Sequence, residues 1–166
     1  MKNSLKFLVC PVCKSKLQQS NTKELKCIEC SKKYDIKSQI PILLPPNLEE
    51  FKVLEAEYHD HEAHHYGEIN MVNSFHVTYY HQKYLKIINE LKDKSVVLEV
   101  GSGDGNDAKY ITKPGITIIQ SDISFQMVNL AKNNKKYNPN NIYVVSDAET
   151  IPCIDNSLDV IMIVGA

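Results

Sequence analysis

The stretch that decides the fold is "KSVVLEVGSGDGNDAKYI", Lys94 to Ile111. It begins with Ser95 to Val100, a short run rich in β-branched residues, which is typical of a strand buried on both faces. Three glycines follow at alternate positions, Gly101, Gly103 and Gly105. Glycine lets the backbone turn sharply and approach a ligand closely, so the pattern predicts a ligand at the end of this strand.

The spacing of the glycines separates three kinds of nucleotide site. A phosphate-binding loop needs Gly-Lys-Ser/Thr, and no lysine follows these glycines. A dinucleotide site needs G-x-G-x-x-G, but Asn106 stands where its third glycine would be. The remaining pattern is E-x-G-x-G-x-G, with Glu99 two residues before the first glycine. Its carboxylate would repel a pyrophosphate and attract an ammonium group, which favours S-adenosylmethionine.

Further elements follow in the order of a doubly wound α/β sheet. The segment "GITIIQSDIS" predicts a second strand ending at Asp122, whose carboxylate can accept hydrogen bonds from both hydroxyls of a ribose. A helix capped by Ser124 then runs to Asn133. The segment "NIYVVSDAETIPCIDNSLDVIMIVGA" predicts a third strand, Ile142 to Ser146, and a fourth near Asp159 to Val164.

Lys94 to Ala166 resembles the N-terminal half of class I S-adenosylmethionine-dependent methyltransferases, closest to the type 11-like group that acts on small molecules. The family's D-A-x-x-L-P-F-x-D-x-S-F-D pattern corresponds to "DAETIPCIDNSLDV", with Cys153 and Leu158 in place of two aromatics. The resemblance implies a Rossmann-like sheet and a methyl acceptor that is a small molecule. The cofactor site that it implies consists of Glu99, Gly101, Gly103, Gly105, Asp122, Ile123, Asp147 and Ala148.

The same resemblance assigns a part of the cofactor to each residue. Glu99 and the three glycines would line the methionine and sulfonium end. Asp122 would bind the ribose and Ile123 would pack on the adenine, whose edge Asp147 and Ala148 would meet. No residue is assigned as a general base.

Family sheets have seven strands in the order 3-2-1-4-5-7-6, of which this sequence supplies four. We therefore expect the chain to be part of a longer enzyme. The apolar fourth strand would present an open edge, through which a partner or a second copy could associate.

Four cysteines near the N-terminus form two C-x-x-C pairs, Cys10 with Cys13 and Cys27 with Cys30. Each pair can direct two thiolates at one tetrahedral Zn²⁺, so we expect a structural zinc site. A disulfide framework would need an oxidising compartment, and a redox pair would leave the second C-x-x-C unexplained.

The segments "LVCPVCKSKL", "LKCIECSKKYDI" and "IPILLP" resemble the short zinc-binding domain that precedes some bacterial methyltransferases. They are also similar to the zinc-ribbon activator subunit of eukaryotic RNA and protein methyltransferases. In that pattern Tyr34, Ile36 and Ile40 to Leu44 supply the short strands that cover the metal. The second resemblance leaves open a non-catalytic module that docks on or activates a partner methyltransferase.

A literal H-E-x-x-H, the pattern of zinc metalloproteases, occurs at His61 to His65. Gly67 follows it closely, whereas the protease motif lies in a long buried helix, so we do not expect a protease. A helix is predicted from Leu48 to about Tyr58, and a second from Ser74. The histidines between them form a polar segment or a lid over the neighbouring site. On the lid hypothesis, His59, His65 and Tyr66 are candidate bases.

The composition is that of a globular protein, with 166 residues, 43% hydrophobic residues and a net charge of −1. The near-neutral charge makes nucleic acid an unexpected partner, although an RNA methyltransferase remains an alternative. The apolar runs are too short for a bilayer, so we expect no membrane association and a cytoplasmic location. We predict a β-rich zinc ribbon at residues 1–46, a helical linker at 47–93 and an incomplete α/β methyltransferase domain at 94–166.

Overall fold

The computed structural model describes residues 5–65, 74–108, 111, 113–133 and 140–164, with only the backbone described for 74–81. Tyr66, a candidate base, lies outside these ranges, as do Gly165 and Ala166. The elements are β1 (Leu17–Asn21), β2 (Glu24–Cys27), β3 (Lys33–Lys37), β4 (Ile40–Leu43), α1 (Glu50–Glu62), α2 (Ser74–Glu90), β5 (Val96–Val100), β6 (Thr117–Asp122), α3 (Phe125–Asn133), β7 (Ile142–Ser146) and β8 (Val160–Ile163).

The strands form one mixed sheet in the order β1-β2-β3-β4-β7-β6-β5-β8. Strands β7, β6, β5 and β8 are mutually parallel and reproduce the expected 3-2-1-4 order. All five residues of β5 are buried, as are the four central residues of β6. Such continuous burial is typical of parallel strands that are covered on both faces, so the predicted α/β fold is confirmed.

Strand β4 joins the N-terminal region to this parallel sheet. It pairs antiparallel with β3 on one side and parallel with β7 on the other, through Ile42 opposite Val145 and Leu43 opposite Ser146. The sequence predicted a strand here but not its second partner. The predicted domain boundary at residue 46 stays a prediction. Strand β4, which precedes that boundary, pairs with β7, which follows it, so one sheet includes strands from both sides.

The two faces of the parallel sheet are covered differently. On one face Val97 and Ile118 pack with Ile88 of α2, and Val145 packs with Val128 of α3. Successive side chains of a strand point to opposite faces, so Leu98 faces the other way. There Leu98 belongs to one apolar cluster with residues of the N-terminal region, among them Leu8, Leu25 and Tyr34. The zinc-ribbon region therefore covers the face that the helices leave free.

Helix α1 continues four residues beyond the predicted end at Tyr58. Its added turn includes Asp60, whose Oδ1 accepts hydrogen bonds from the Ser124 hydroxyl at 2.5 Å and the Gln126 amide at 2.9 Å. These partners lie more than sixty residues away in sequence. A local pattern cannot predict such a contact. In contrast, the bounds of β7 are those predicted, and Ser124 caps α3 by accepting from the Met127 amide at 3.1 Å.

Candidate functional site

A cavity of about 420 Å³ lies at the carboxyl ends of β5, β6 and β7, beneath α1. This edge of a parallel sheet is the usual ligand position in open α/β folds, and the volume lies in the range of small-molecule pockets. The cavity is lined by Phe51, Lys52, Glu55, His59, Val100, Gly101, Gly103, Ser121, Asp122, Ile123, Met127, Ser146, Asp147, Ala148 and Glu149. Six of the eight predicted cofactor residues are among them, while Glu99 and Gly105 are not.

The glycine loop after β5 forms the floor of the cavity. Gly101, Gly103 and Gly105 all have positive φ, at 65°, 50° and 74°, a conformation that residues with a Cβ adopt only at a cost. Gly105 is buried and donates its amide to the Ser102 carbonyl at 2.8 Å, so it shapes the loop without reaching the cavity.

Asp122 connects the glycine loop to the end of β6. Its Oδ2 accepts from the Gly103 amide at 2.9 Å and its Oδ1 accepts from the Ser124 amide at 2.9 Å. Burial raises the pKa of this carboxyl, although these amides and the nearby His59 oppose the shift. Each carboxylate oxygen has a second lone pair, so Asp122 can still accept bonds from ligand hydroxyls.

Asp147 lies at the far end of the cavity, after β7, and holds α1. Its Oδ2 accepts from Lys52 Nζ at 3.0 Å, and its Oδ1 accepts from the Glu149 amide at 3.1 Å. Lys52 also pairs with Glu149 Oε2 at 2.7 Å. The hydrogen bond to Glu149, together with that to Asp147, raises the pKa of Lys52, so the ammonium stays charged. The turn Ala148–Thr150 is thereby fixed against α1.

Glu99 is buried behind the glycine loop, with its Oε2 accepting from Gln120 Nε2 at 3.1 Å. Its Oε1 has no hydrogen-bond partner among the residues that the structure describes. Burial raises the pKa of Glu99 to about 8, and the neighbouring Asp107, Asp104 and Asp122 add to the shift. An unpartnered buried carboxyl oxygen is costly, and a cationic ligand group would satisfy it.

The α1 side of the cavity was largely missed from the sequence. Phe51, Lys52 and Glu55 were not considered, and His59 was considered only as part of a lid. The i, i+4 spacing of Phe51, Glu55 and His59 is a signal that these three share a helix face. Of the other candidate bases, His65 is exposed and does not line the cavity.

The four N-terminal cysteines converge on one point. Their Sγ atoms all lie within 4.8 Å of one another, with Cys10 and Cys30 at 3.7 Å and Cys13 and Cys27 at 3.4 Å. Four thiolates on one tetrahedral zinc would be about 3.8 Å apart, given Zn–S bonds of about 2.3 Å. All five cysteines are described and all are free thiols. The donor set therefore fits a structural zinc ion.

Tyr34 of β3 contacts the cysteine cluster, with its hydroxyl 3.0 Å from Cys10 Sγ. Burial raises the pKa of Tyr34, so the phenol stays protonated and donates this hydrogen bond to the sulfur. Such contacts orient metal ligands.

The N-terminal cysteine turn is also bonded to the loop that follows Ala148–Thr150. The Val9 amide donates to the Pro152 carbonyl at 2.8 Å, and the Ile154 amide donates to the Phe7 carbonyl at 3.0 Å. Lys14 Nζ donates to the Ile151 carbonyl at 2.7 Å. The loop that contacts the cysteine turn therefore directly follows the residues that line the cavity after β7.

The H-E-x-x-H segment forms no such cluster. α1 ends at Glu62, so His64 and His65 are in the turn that follows it and are exposed. Within the described part of the chain, the four cysteines are the only His, Cys, Asp or Glu group spaced to hold a metal. The two histidines of the pattern, His61 and His65, therefore do not share one helix.

Comparisons with known proteins agree with both parts of this description. Residues 98–166 match the family described as "Methyltransferase domain", and residues 3–38 match that of "Trm112p-like protein". The two resemblances predicted from the sequence are thus confirmed.

A crystal structure of a TehB-like SAM-dependent methyltransferase from Corynebacterium glutamicum is similar to 66% of this chain, at 20% identity and a TM-score of 0.48. The matched region spans 55% of that protein, so this chain covers little more than half its length.

No curated protein matches the chain. No helix among the described residues is both long and apolar enough to cross a membrane.

Proposed function

We propose that the chain is an S-adenosylmethionine-dependent methyltransferase that acts on a small-molecule acceptor, in the cytoplasm. The observation that carries the proposal is the cavity at the carboxyl ends of three parallel strands within a methyltransferase domain. Its lining includes Gly101, Gly103, Asp122, Ile123, Asp147 and Ala148, the residues that the family pattern assigns to the cofactor.

The residues fit the cofactor chemically. From behind the glycine loop, the carboxyl of Glu99 would attract the ammonium of the methionine part, and the glycine loop with Gly105 would shape that end. Asp122 would accept from the ribose hydroxyls through its remaining lone pairs. Ile123 and Ala148 would contact the adenine, and Asp147 would accept from its exocyclic amine while still holding Lys52.

When bound, S-adenosylmethionine supplies a methyl group made electrophilic by its attachment to a sulfonium. The chain's own residues would align the ligand and exclude water, and such alignment can contribute several kcal/mol, up to about 10 kcal/mol. His59 lines the cavity and would accept a proton from acceptors that must lose one. Zn²⁺ on Cys10, Cys13, Cys27 and Cys30 would hold the ribbon together rather than take part in the reaction.

The test is calorimetric titration of the zinc-loaded chain with S-adenosylhomocysteine, the product form of the cofactor. We expect saturable binding of one ligand per chain. Asp122→Ala should weaken it about a hundredfold, because two hydrogen bonds to a carboxylate are lost. Asp155→Ala changes an exposed carboxylate away from the cavity and should leave binding within about twofold. A folded, zinc-loaded wild type that does not bind would refute the proposal.

The second candidate is a non-catalytic module that docks on or activates a partner methyltransferase, and the Trm112p-like match favours it. A partner or second copy could also pair with β8, whose Ile161 and Ile163 are exposed. Cofactor binding with methyl transfer by the chain alone would exclude this candidate. Cofactor binding that appears only after a methyltransferase is added would support it. Salt-dependent binding of RNA fragments would instead revive the RNA methyltransferase alternative.

A further inference from the structure

Helix α1 is attached to the α/β region at two separate points. Near its N-terminus, Lys52 is paired with Asp147 and Glu149 after β7. Near its C-terminus, Asp60 accepts from the Ser124 hydroxyl and the Gln126 amide, at the start of α3. The two points are eight positions apart in sequence, which corresponds to about 12 Å along the helix. α1 is therefore held across the strand ends rather than hinged at one end.

Along this part of α1, one stripe of the helix faces the cavity. Phe51, Glu55 and His59 recur every four residues, and all three line the cavity. Leu54 and Tyr58 are comparably apolar or aromatic, but neither lines it. Phe51 is 60% exposed although it lines the cavity, so much of its ring is free to contact a ligand.

The stripe runs along the cavity in the same direction as the proposed adenosine. Lys52 Nζ is 5.8 Å from the centre of the Phe51 ring and 3.0 Å from Asp147, so Phe51 lies at the proposed adenine end. His59 precedes Asp60, whose carboxylate is bonded to Ser124, two residues from Asp122, so His59 lies at the proposed ribose end. Glu55 Oε1 is 3.1 Å from His59 Nε2 and orients the ring.

We infer that the α1 stripe is the second wall of the adenosine-binding site, an inference that rests on the proposed function. Phe51 covers the adenine and His59 contacts the ribose, opposite the strand ends. Lys52 is a positioning residue that holds this wall against Asp147. The linker between ribbon and α/β region thus supplies cofactor contacts that no motif in the methyltransferase domain contains.

The experiment compares Phe51→Ala with Leu54→Ala, two side chains of α1 that are 60% and 59% exposed. Binding of S-adenosylhomocysteine is measured by calorimetry, and adenosine alone is measured by competition. Phe51→Ala should weaken both ligands by a similar factor, on the order of tenfold, because base–aromatic stacking is lost. Leu54→Ala should change neither by more than about twofold, and Phe51→Tyr should restore binding. Zinc content and ligand-free thermal unfolding confirm that each variant folds.

The outcomes separate this inference from the proposed function. If the wild type binds while Phe51→Ala and His59→Ala bind equally well, the α1 wall is wrong and the proposed function stands. Equal losses in Phe51→Ala and Leu54→Ala would show that α1 has only a structural role, which also overturns the inference. If the wild type binds neither ligand, the proposed function is wrong, and the inference that rests on it is wrong as well.

Discussion

The two halves of the sheet, β1–β4 and β5–β8, are stabilised in different ways. In β2 and β3 buried residues alternate with exposed or half-buried ones, so these short strands bury one face each. β5 and β6 are buried on both faces over most of their length. A small one-faced sheet rarely stabilises itself without a metal or disulfides. The ribbon therefore depends on its cysteine cluster, whereas the parallel half depends on apolar burial.

The two halves are nevertheless not independent, because one apolar cluster contains Cys10 and Cys27 of the cysteine cluster together with Leu98 and Ile119 of the parallel strands. The comparison teaches that a small metal-binding module can serve as the missing cover of a larger sheet. Its metal would then stabilise residues far from the cysteines.

Loss of zinc should have the largest effect and would test this coupling. Cys27→Ser removes a buried ligand, and we expect loss of the metal and a fall in the free energy of unfolding of more than about 5 kcal/mol. Binding of S-adenosylhomocysteine should fall as well. Cys153→Ala, a buried cysteine outside the cluster, should retain zinc and cost about 1–2 kcal/mol. Zinc analysis and urea unfolding are the measurements. If the parallel half of Cys27→Ser unfolded in a separate urea transition with the wild-type midpoint, the two halves of the sheet would not be coupled.

The buried carboxyl of Glu99 should make the parallel half pH-sensitive. Between about pH 4.5, its ordinary pKa, and about 8, its pKa in the fold, only the unfolded chain loses the proton. The free energy of unfolding should therefore fall as the pH rises, by about 1.4 kcal/mol per pH unit from this group. Glu99→Gln should remove that slope in the ligand-free protein, and Glu149→Gln, an exposed carboxyl, should not. Parallel pH profiles for wild type and Glu99→Gln would argue against the shift.

A smaller effect should follow from Tyr34→Phe, which removes only the hydroxyl that contacts Cys10 Sγ. Contacts of this kind change metal affinity about 10- to 100-fold, so zinc should bind more weakly to a chain that still folds. Competition with a chromophoric chelator would measure the change. Unaltered affinity would show that Tyr34 contributes only packing.

The same ion-pair chemistry occurs in both halves, at very different burial. The side chain of Lys52 is 10% exposed and that of Lys33, paired with Glu24 at 3.1 Å, is 64% exposed. Lys52→Met should increase amide hydrogen exchange throughout Glu50–Glu62, because one attachment of α1 is lost. Lys33→Met should leave exchange in β2 and β3 nearly unchanged, since exposed pairs contribute little. Equal increases in hydrogen exchange in Lys52→Met and Lys33→Met would mean that the burial of the ion pair has no effect on its contribution. As a control, Lys52→Arg should restore the wild-type exchange pattern.

Local patterns were sufficient for the parallel half. The bounds of β7 and the end of β6 at Asp122 followed from buried β-branched runs that stop at polar residues. The tight loop after β5 was predicted from its three glycines, all of which have positive φ in the structure. These signals are contained in a few consecutive residues, so no knowledge of distant partners was needed.

Contacts between distant segments were not predictable in this way. Lys52 meets Asp147 ninety-five residues further along the chain, and nothing near Lys52 marks it as a buried cation. The apolar residues of β4 indicate a strand but carry no information about pairing with β7. For the same reason the sequence revealed the strand-end wall of the cavity and not the wall on α1.

The pairing of β4 with β7 also sets an order of events during synthesis. β4 leaves the ribosome roughly 100 residues before β7, so its outer edge has no partner while the intervening chain is made. At typical translation rates this interval lasts about 5–20 s, long compared with hairpin formation. The nascent ribbon can therefore form its own hairpins and bring its four cysteines together early. Its last strand must stay available as a template, and the growing parallel sheet is completed against it.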